Sequence, residues 1–393
     1  MKKYRELSVS EYELVTEGNV EIPMRDGTIL RADITRPSDP GKFPVILQRT
    51  PYNKQAGFEG GKGIPEFYGT RGFVVVVQDV RGRFGSDGDF YPYRDDGAGI
   101  NQDGYDTVEW LAKQPWSNGK VGTFGGSYTG STQYLNAISR PPHLKTMFVR
   151  EAPAEYYQEH IYRGGAFELG TMMGFSRFVT LANISKLVKE EDVPRYKEIL
   201  ESADANAEYW YEQLPLFPTP YLVGLSDWYN DWLDNPIDGP YWDAFNIQKK
   251  HDQIEVPAYH LGGWFDLFLM GTLKNYTGIK TQGGTETARS NQRLIIGPWE
   301  HGPLNVENQF AGEYDFGPKA PLKVDDLQLP WFDQWLKGKD TGILDDPPVR
   351  IFVMGRNEWT NHSDWPIPGT KYSNFYLHDG KGGSSTSLND GVL

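Results

Sequence analysis

Short apolar runs alternate along the first 150 residues with stretches whose apolar positions repeat at helical spacing. Residues 43–47 and 73–77 contain no charged side chain, which is typical of strands buried on both faces of a sheet. Helical spacing of apolar positions predicts a helix over 103–114, and a strand over 120–124 is followed by a helix over 128–139. This alternation predicts an α/β domain with a mostly parallel sheet.

Further along the chain the strands continue, but a long helical segment interrupts them. Residues 143–149, 256–261 and 293–296 predict three more strands of the same sheet. The segment 152–254 is helical in pattern, and Ser226 is the expected N-cap of one of its helices. It is dense in aromatic side chains: Tyr156, Tyr157, Phe175, Phe178, Trp210, Trp228, Trp232 and Trp242. We interpret it as a helical cap, whose rings pack its interior or face a ligand.

After a last helix over 324–336, the composition changes to short strands separated by turns rich in Gly and Ser. A jelly roll needs about eight strands, whereas the remaining residues supply roughly four or five. We therefore expect the start of a C-terminal β jelly-roll module, and a sequence that is a fragment of a longer protein or a naturally short variant. The predicted division is a core in two parts (1–151 and 255–340), a helical cap (152–254) and the partial β module (347–393).

Charge and composition exclude several classes of function. The chain has 39 basic and 53 acidic side chains, a net charge of −14, which argues against nucleic acid as a partner because phosphates are bound by clustered Lys and Arg. It has no cysteine, so disulfides, thiolate metal sites and a cysteine nucleophile are excluded. The N-terminus has no apolar run typical of a signal peptide, and no stretch is apolar for about 18 residues, so we expect a cytoplasmic protein that does not span a membrane.

The strongest local signal for chemistry is the segment GTFGGSYTG, which lies between a predicted strand and a predicted helix. A serine on so sharp a turn is held clear of the sheet, where its hydroxyl can attack a substrate. The generic form of this turn has glycine two residues before and two after the serine. Gly125 takes the first place, but Thr129 takes the second and Gly130 follows. Glycine-flanked serines also occur in ordinary loops, yet the strand–turn–helix context favours Ser127 as a nucleophile.

A nucleophilic serine needs a base and an acid, which in this architecture follow it in the order acid, then histidine, each after a later strand. Of the seven histidines, His301 is the best placed because it directly follows the last predicted strand. Asp266 follows the preceding strand and would orient the imidazole; its alternative role is an N-cap for the next helix. Glu300 is a rival acid, although adjacency along the chain makes a good contact with the ring of His301 difficult.

Acyl transfer also needs hydrogen-bond donors for the oxyanion that develops on the substrate. In this architecture one donor is the backbone N–H of the residue after the nucleophile, Tyr128. The other comes from the loop after the third strand, which reads QRTPYN. The phenol of Tyr52 is the obvious donor in that loop, and its alternative role is to form a wall of the pocket.

Several longer segments stand out along essentially the whole chain: IPMRDGTILRADITRP at Ile22, RTPY at Arg49, QDVRGRFGSDG at Gln78, GGSYTG at Gly125, GGWFD at Gly262, GPWEHG at Gly297, WFDQWLKG at Trp331 and PPVRIFVMG at Pro347. Together and in this order they resemble the cocaine esterase-like (CocE/NonD) and Xaa-Pro dipeptidyl-peptidase family of serine hydrolases. The resemblance implies an α/β-hydrolase fold with a helical cap and a C-terminal jelly roll. It also implies a catalytic set and an oxyanion hole: Ser127, Asp266 and His301, with Tyr52 and the Tyr128 amide.

The function expected is hydrolysis of an ester or amide bond through a covalent acyl-enzyme, without cofactor or metal. The substrate would be a small ester or amide or a short peptide, and oligomeric state is left open. Esterases, acylases, α-amino-acid ester hydrolases and Xaa-Pro dipeptidyl-peptidases are the alternatives within the family. The last two need carboxylates for a substrate ammonium, and Glu155, Glu159 and Glu300 are the candidates. A catalytically inactive binding module is the alternative of another class, against which the intact Ser, Asp and His argue.

Overall fold

A ten-stranded sheet forms the frame of the chain in the computed structural model. The structure describes residues 4–56, 63–212, 214, 216, 222, 224–302 and 305–374. The strands in these residues are β1 (Leu14–Pro23), β2 (Ile29–Pro37), β3 (Phe43–Thr50), β4 (Val74–Asp79), β5 (Ser117–Gly126), β6 (Leu144–Arg150), β7 (Tyr162–Arg163), β8 (Ala166–Phe167), β9 (Ala258–Phe265), β10 (Arg293–Glu300), β11 (Phe310–Ala311), β12 (Tyr314–Asp315), β13 (Val349–Val353) and β14 (Glu358–His362). Two small hairpins, β7–β8 and β11–β12, lie outside the large sheet.

The large sheet is parallel in its centre and antiparallel at its edges. Its strand order is β1-β2-β4-β3-β5-β6-β9-β10-β13-β14. The seven strands from β4 to β13 in this order run parallel, whereas β1, β2 and β14 pair antiparallel. The predicted mostly parallel sheet is confirmed, and each strand predicted in the core is present. The antiparallel edge strands β1 and β2 were not predicted.

The uninterrupted apolar runs are explained by burial of the sheet on both faces. Along β3, Val45 and Leu47 belong to one hydrophobic cluster, and Ile46, which points to the opposite face, belongs to another. All three are at most 1% exposed. Because side chains alternate between the faces of a strand, every position of such a strand has to be apolar.

Helices cover the two faces of the sheet. Those in the described residues are α1 (Ile64–Gly69), α2 (Asp103–Ala112), α3 (Tyr128–Ile138), α4 (Leu169–Leu181), α5 (Ile184–Leu187), α6 (Val193–Ala205), α7 (Ala207–Tyr211), α8 (Asp227–Asp234), α9 (Pro240–Asp243), α10 (Leu269–Gln282), α11 (Glu286–Ser290) and α12 (Asp325–Lys337). Helices α2 and α3 pack on one face, and α1 and α12 on the other. None of the helices in these ranges is long and apolar enough to cross a membrane.

Helices α4 to α9 form the segment predicted as a cap, between β8 and β9. The rings of Trp228 and Trp232 are in contact, with centroids 4.9 Å apart, as their spacing of one helical turn predicts. Ser226 precedes α8, but its hydroxyl pairs with Thr180 Oγ1 at 2.6 Å and makes no capping hydrogen bond. Ser226 is thus the N-cap of α8, as predicted, but its side chain makes no capping hydrogen bond because its hydroxyl pairs with a partner on another helix.

The first strands after residue 347 join the large sheet. Strand β13 pairs parallel with β10, and β14 pairs antiparallel with β13. The rest of the predicted β module falls largely on residues 375–393, which lie outside the described residues. The division of the chain at 151, 254, 340 and 347 remains a proposal.

The packing of α12 on the sheet generates a prediction for stability. Phe332 is fully buried and contacts the rings of Tyr68, Phe73 and Phe148. Replacing Phe332 by Ala leaves a cavity in close-packed surroundings, so we expect the free energy of unfolding to fall by about 3–5 kcal/mol. Chemical denaturation followed by circular dichroism measures the change.

The matched control is the same substitution at Phe310, which is 44% exposed. Because little apolar surface is buried there, Phe310→Ala should cost less than about 1 kcal/mol. Equal losses of stability in the two variants would contradict the packing described for α12.

Candidate active site

The residues that follow adjacent parallel strands meet at one edge of the sheet. Ser127 follows β5, Glu151 follows β6, Asp266 follows β9 and His301 follows β10, in each case as the next residue. Tyr52 lies two residues beyond β3, the neighbour of β5 on its other side. The carboxyl ends of parallel strands in open α/β sheets are where ligands bind, so this edge is the candidate site.

Ser127 occupies the sharp turn between β5 and α3. Its φ of 56° and ψ of −124° are unusual for a residue other than glycine. The backbone N–H of Ser127 donates to the carbonyls of Arg150 and Glu151, both at 3.1 Å. These bonds tie the turn to the end of β6 and hold the strained backbone in place, as expected for a nucleophile on such a turn.

The displaced glycine of the turn has a structural reason. A Cβ atom added to Gly130 would lie 2.8 Å from the carbonyl oxygen of Arg150 and 2.9 Å from Cβ of Ala152. The close approach to the end of β6 therefore occurs at position 130. Thr129, at the place of the generic glycine, fits because its Oγ1 donates to the carbonyl of Gly126 at 2.8 Å.

His301 lies between the hydroxyl of Ser127 and the carboxylate of Asp266. Its Nε2 is 2.9 Å from Ser127 Oγ, and its Nδ1 is 2.7 Å from Asp266 Oδ1. Since a carboxylate only accepts, Nδ1 carries the proton and donates to Asp266, which leaves Nε2 free to accept from the serine hydroxyl. The structure thus brings together the three side chains named from the sequence, with the imidazole 25% exposed and the side chain of Asp266 fully buried.

Asp266 faces the imidazole and is not the N-cap of α10, which is Phe268. Its Oδ1 also accepts from the backbone N–H of Phe268 at 3.0 Å, immediately before α10 begins at Leu269. The carboxylate therefore stabilises the entry into α10 and faces the imidazole at the same time. Glu300, the rival acid, has an exposed side chain and is not the partner of His301 Nδ1.

The other described histidines have partners of their own. Hydrogen bonds join His143 to Glu109, His160 to Tyr93, His251 to Asn275, His260 to Tyr134 and Gln292, and His362 to Thr360. Burial lowers the pKa of His160 to about 3 and that of His260 to about 4, so both are neutral at pH 7. His378 lies outside the described residues. His301 is therefore the best candidate for the base among the described histidines.

Glu151 is a residue of this site that the sequence reasoning missed. Its side chain is 2% exposed, and its Oε2 lies 3.6 Å from His301 Nδ1 and accepts from the backbone N–H of Gly302 at 3.0 Å. Burial, followed by the negative charge of Asp266, raises the pKa of Glu151 to about 7. Its place directly after a buried strand was the only signal in the sequence that could have identified it.

The two tyrosines expected to stabilise an oxyanion lie side by side. The ring of Tyr52 packs edge-on against the ring of Tyr128, with centroids 6.2 Å apart. Tyr128 is the first residue of α3, and its hydroxyl accepts from the backbone N–H of Tyr93 at 3.1 Å. Burial holds the pKa of Tyr128 well above its usual range, so it is neutral. The role of Tyr52 and of the Tyr128 amide at an oxyanion stays a prediction.

Two of the three carboxylates considered for a substrate ammonium are engaged by the protein. Glu159 forms an ion pair with Lys274 at 2.6 Å and accepts from the backbone N–H groups of Ala154 and Glu155. The carboxylate of Glu155 accepts from the backbone N–H of Gln158. These contacts already use part of the hydrogen-bonding capacity that an ammonium group would need.

The close approach at Gly130 generates a prediction for the turn. Gly130→Ala forces α3 away from the end of β6, because the new methyl group would meet backbone atoms that cannot move independently. We expect a loss of about 1–3 kcal/mol in stability and slower labelling of Ser127 by a fluorophosphonate. Thermal denaturation and the labelling rate measure the two effects.

Thr129→Ser is the control, since serine keeps the hydroxyl that donates to Gly126. Its stability should lie within about 1 kcal/mol of the parent chain, with unchanged labelling. Wild-type labelling and stability in Gly130→Ala would contradict the explanation of the displaced glycine.

Comparisons with known proteins agree with this fold. The family model described as X-Pro dipeptidyl-peptidase (S15 family) matches residues 26–303. A cocaine esterase from Rhodococcus sp. (strain MB1 Bresler) is 33% identical over 387 residues, 95% of this chain and 64% of the esterase. A CocE/NonD family hydrolase from Staphylococcus aureus has a TM-score of 0.69 at 23% identity, covering 92% of this chain and 58% of the hydrolase. An α-amino acid ester hydrolase has a TM-score of 0.67 at 25% identity, covering 93% and 61%.

The family match covers well over half of the chain and includes Ser127, Asp266 and His301. The structural similarities confirm the predicted α/β fold class. The chain spans 64% of the length of the cocaine esterase that it matches. The resemblance predicted from the motifs is confirmed: the chain belongs to the X-Pro dipeptidyl-peptidase (S15) family.

Proposed function

We propose that this chain hydrolyses small carboxylic esters through an acyl-enzyme formed on Ser127. The observation that carries the proposal is the position of the His301 imidazole, 2.9 Å from Ser127 Oγ and 2.7 Å from Asp266 Oδ1. A base within hydrogen-bond distance of a serine, itself oriented by a buried carboxylate, is the arrangement that activates a hydroxyl for acyl transfer. The reaction needs no cofactor or metal.

In the first half of the reaction, Ser127 Oγ forms a bond to the carbonyl carbon of the ester while its proton passes to Nε2 of His301. Asp266 stabilises the imidazolium through Nδ1. The Tyr52 phenol and the Tyr128 amide donate hydrogen bonds to the carbonyl oxygen and stabilise the negative charge that develops on it. When the tetrahedral intermediate collapses, the bond to the alcohol oxygen breaks and the alcohol takes the proton from Nε2.

In the second half, a water molecule takes the place of the alcohol. Its proton passes to Nε2 of His301 while its oxygen attacks the acyl carbon, and collapse of the new intermediate returns the proton to Ser127 Oγ as the acid leaves. The imidazole can act in both half-reactions without moving, because its ring is partly exposed and its Nδ1 is fixed by Asp266. One base thus serves both half-reactions.

An ester is favoured over a peptide with a free amino terminus. The 33% identity to a cocaine esterase supports it, and so does the engagement of Glu155 and Glu159 by protein groups. The net charge of −14 supports a small-molecule substrate rather than nucleic acid.

A cytoplasmic location belongs to the same proposal, and fractionation of expressing cells tests it.

Removal of the nucleophile gives the central prediction. Ser127→Ala removes the atom that forms the acyl-enzyme, so kcat/KM for p-nitrophenyl butyrate should fall by roughly 10³-fold or more. Fluorophosphonate labelling, followed by mass spectrometry of the labelled peptide, should be lost in parallel. The matched control is Ser290→Ala, an exposed serine on α11, which should retain both.

Two outcomes would contradict the proposal. Full turnover in Ser127→Ala would exclude the acyl-enzyme on this serine. An unlabelled wild-type chain without turnover would instead favour an inactive binding module. Faster release of p-nitroaniline from Ala-Pro-p-nitroanilide than of p-nitrophenol from the aryl ester would favour a dipeptidyl-peptidase.

The oxyanion role of Tyr52 is tested by deleting its hydroxyl. Tyr52→Phe keeps the ring that packs against Tyr128 and Phe178 but removes the donor, so kcat should fall by roughly 10²-fold with little change in KM. Steady-state kinetics with the same aryl ester measures both constants. Tyr372→Phe, at a tyrosine 82% exposed, is the control. An unchanged kcat in Tyr52→Phe would leave Tyr52 as a wall of the pocket.

A further inference from the structure

We propose that Glu151 is a positioning residue of this site: a second buried carboxyl group that holds the loop of His301 and stabilises the imidazolium formed during catalysis. The inference rests on the proposed ester hydrolysis. It concerns a residue that none of the sequence motifs singled out.

The backbone of Glu151 joins the segments that carry the nucleophile and the acid. Its N–H donates to the carbonyl of Leu261 in β9 at 2.8 Å, and its carbonyl accepts from the N–H of Ser127 at 3.1 Å. Strand β9 leads directly to Asp266. A displacement of Glu151 would therefore change the distance between the turn that bears the serine and the strand that precedes the acid.

The side chain of Glu151 contacts the third segment of the site, the one that carries His301. Its Oε2 accepts from the N–H of Gly302, the residue after His301, at 3.0 Å, and lies 3.6 Å from His301 Nδ1. One residue thus contacts all three segments of the catalytic set. Glu151 Oε2 lies farther from His301 Nδ1 than Asp266 Oδ1 does. Asp266 therefore makes the direct hydrogen bond, and Glu151 acts through its charge and through its contact with the loop.

Keeping this residue in place costs free energy. Glu151 has a φ of +47°, a conformation that side-chain-bearing residues rarely adopt. Its Oε1 is buried without a hydrogen-bond partner among the described residues, and a buried carboxyl that is not fully hydrogen-bonded is costly. Such strain at a functional site points to a role in its chemistry, and the neighbouring imidazole is the group that a second negative charge would affect.

The charged groups around Glu151 determine the direction of its effect. Asp266 and His301 face it from the loops after β9 and β10, and Arg150 precedes it in β6. His160 acts on His301 from the segment before β7, but burial lowers its pKa to about 3, which leaves it uncharged at pH 7. Where Glu151 is ionised, above its raised pKa of about 7, its negative charge favours the protonated imidazole, and Asp266 acts in the same direction.

The sign of the pH effect follows from this arrangement. Hydrolysis requires the neutral imidazole at the start of the reaction, so protonation of His301 produces the acidic limb of the profile of kcat/KM. A nearby negative charge makes that protonation easier and places the limb at higher pH. Removing the charge of Glu151 should move the limb to lower pH and, because the imidazolium of the transition state is less stabilised, lower kcat.

Glu151→Gln is the test, because glutamine keeps an oxygen that can accept from Gly302 and removes the charge. With p-nitrophenyl butyrate, we expect kcat to fall about tenfold and the acidic limb of kcat/KM to move down by about one pH unit. KM should change by less than about twofold, since Glu151 is not proposed to contact the substrate.

Glu307→Gln is the matched control, because it removes the same charge from an exposed side chain six residues after His301, where solvent screens it. Its profile should coincide with that of the wild type. A Glu151→Gln variant with an unmoved acidic limb would overturn the inference even if kcat fell, since a purely structural defect lowers kcat without moving that limb. Failure of the proposed function is distinct, because the wild-type chain would then show no ester hydrolysis.

A second measurement uses the unmodified chain and does not depend on folding of the variant. The ¹⁵N-labelled imidazole of His301, assigned by its loss in His301→Gln, is titrated by NMR. Coupling to a second titrating carboxyl predicts a curve that departs from a single simple ionisation. A single-step curve would overturn the inference.

Discussion

The common edge at which seven parallel strands end is the constraint on which the candidate site depends. Ser127 and His301 are 174 residues apart in the sequence, yet their side chains are 2.9 Å apart. They meet because β5, β6, β9 and β10 are consecutive strands of the sheet and the residue after each one leaves at the same side. Close packing on both faces of the sheet keeps the strands in register, and with them the hydrogen bonds of the imidazole.

Two unusual backbone conformations lie where these strands end. Ser127 and Glu151 both have positive φ values, and the N–H of Ser127 donates to the carbonyl of Glu151, so the two unusual conformations support each other. Gly130 allows α3 to approach the end of β6 closely enough for this contact. The surroundings hold a conformation that an isolated segment would leave, which is how a turn of this kind keeps its serine exposed.

The cap segment contacts the site through aromatic rings. Phe178 packs against Tyr52, and Phe175 stacks with Tyr128 and meets Trp228. The residues proposed to hold an oxyanion are therefore packed against the cap.

The sequence by itself determined the central parallel strands of the core, its helices over 103–114, 128–139 and 324–336, the sharp turn that carries Ser127, and the order of Asp266 and His301 after it. These features depend on patterns within a few residues, such as an uninterrupted apolar run or small residues around a serine. Only the tertiary structure decided that Glu151 faces His301, that Thr180 takes the hydroxyl of Ser226, and that β13 joins the large sheet. Each of these depends on contacts between segments distant in the chain, and no local pattern encodes such a contact.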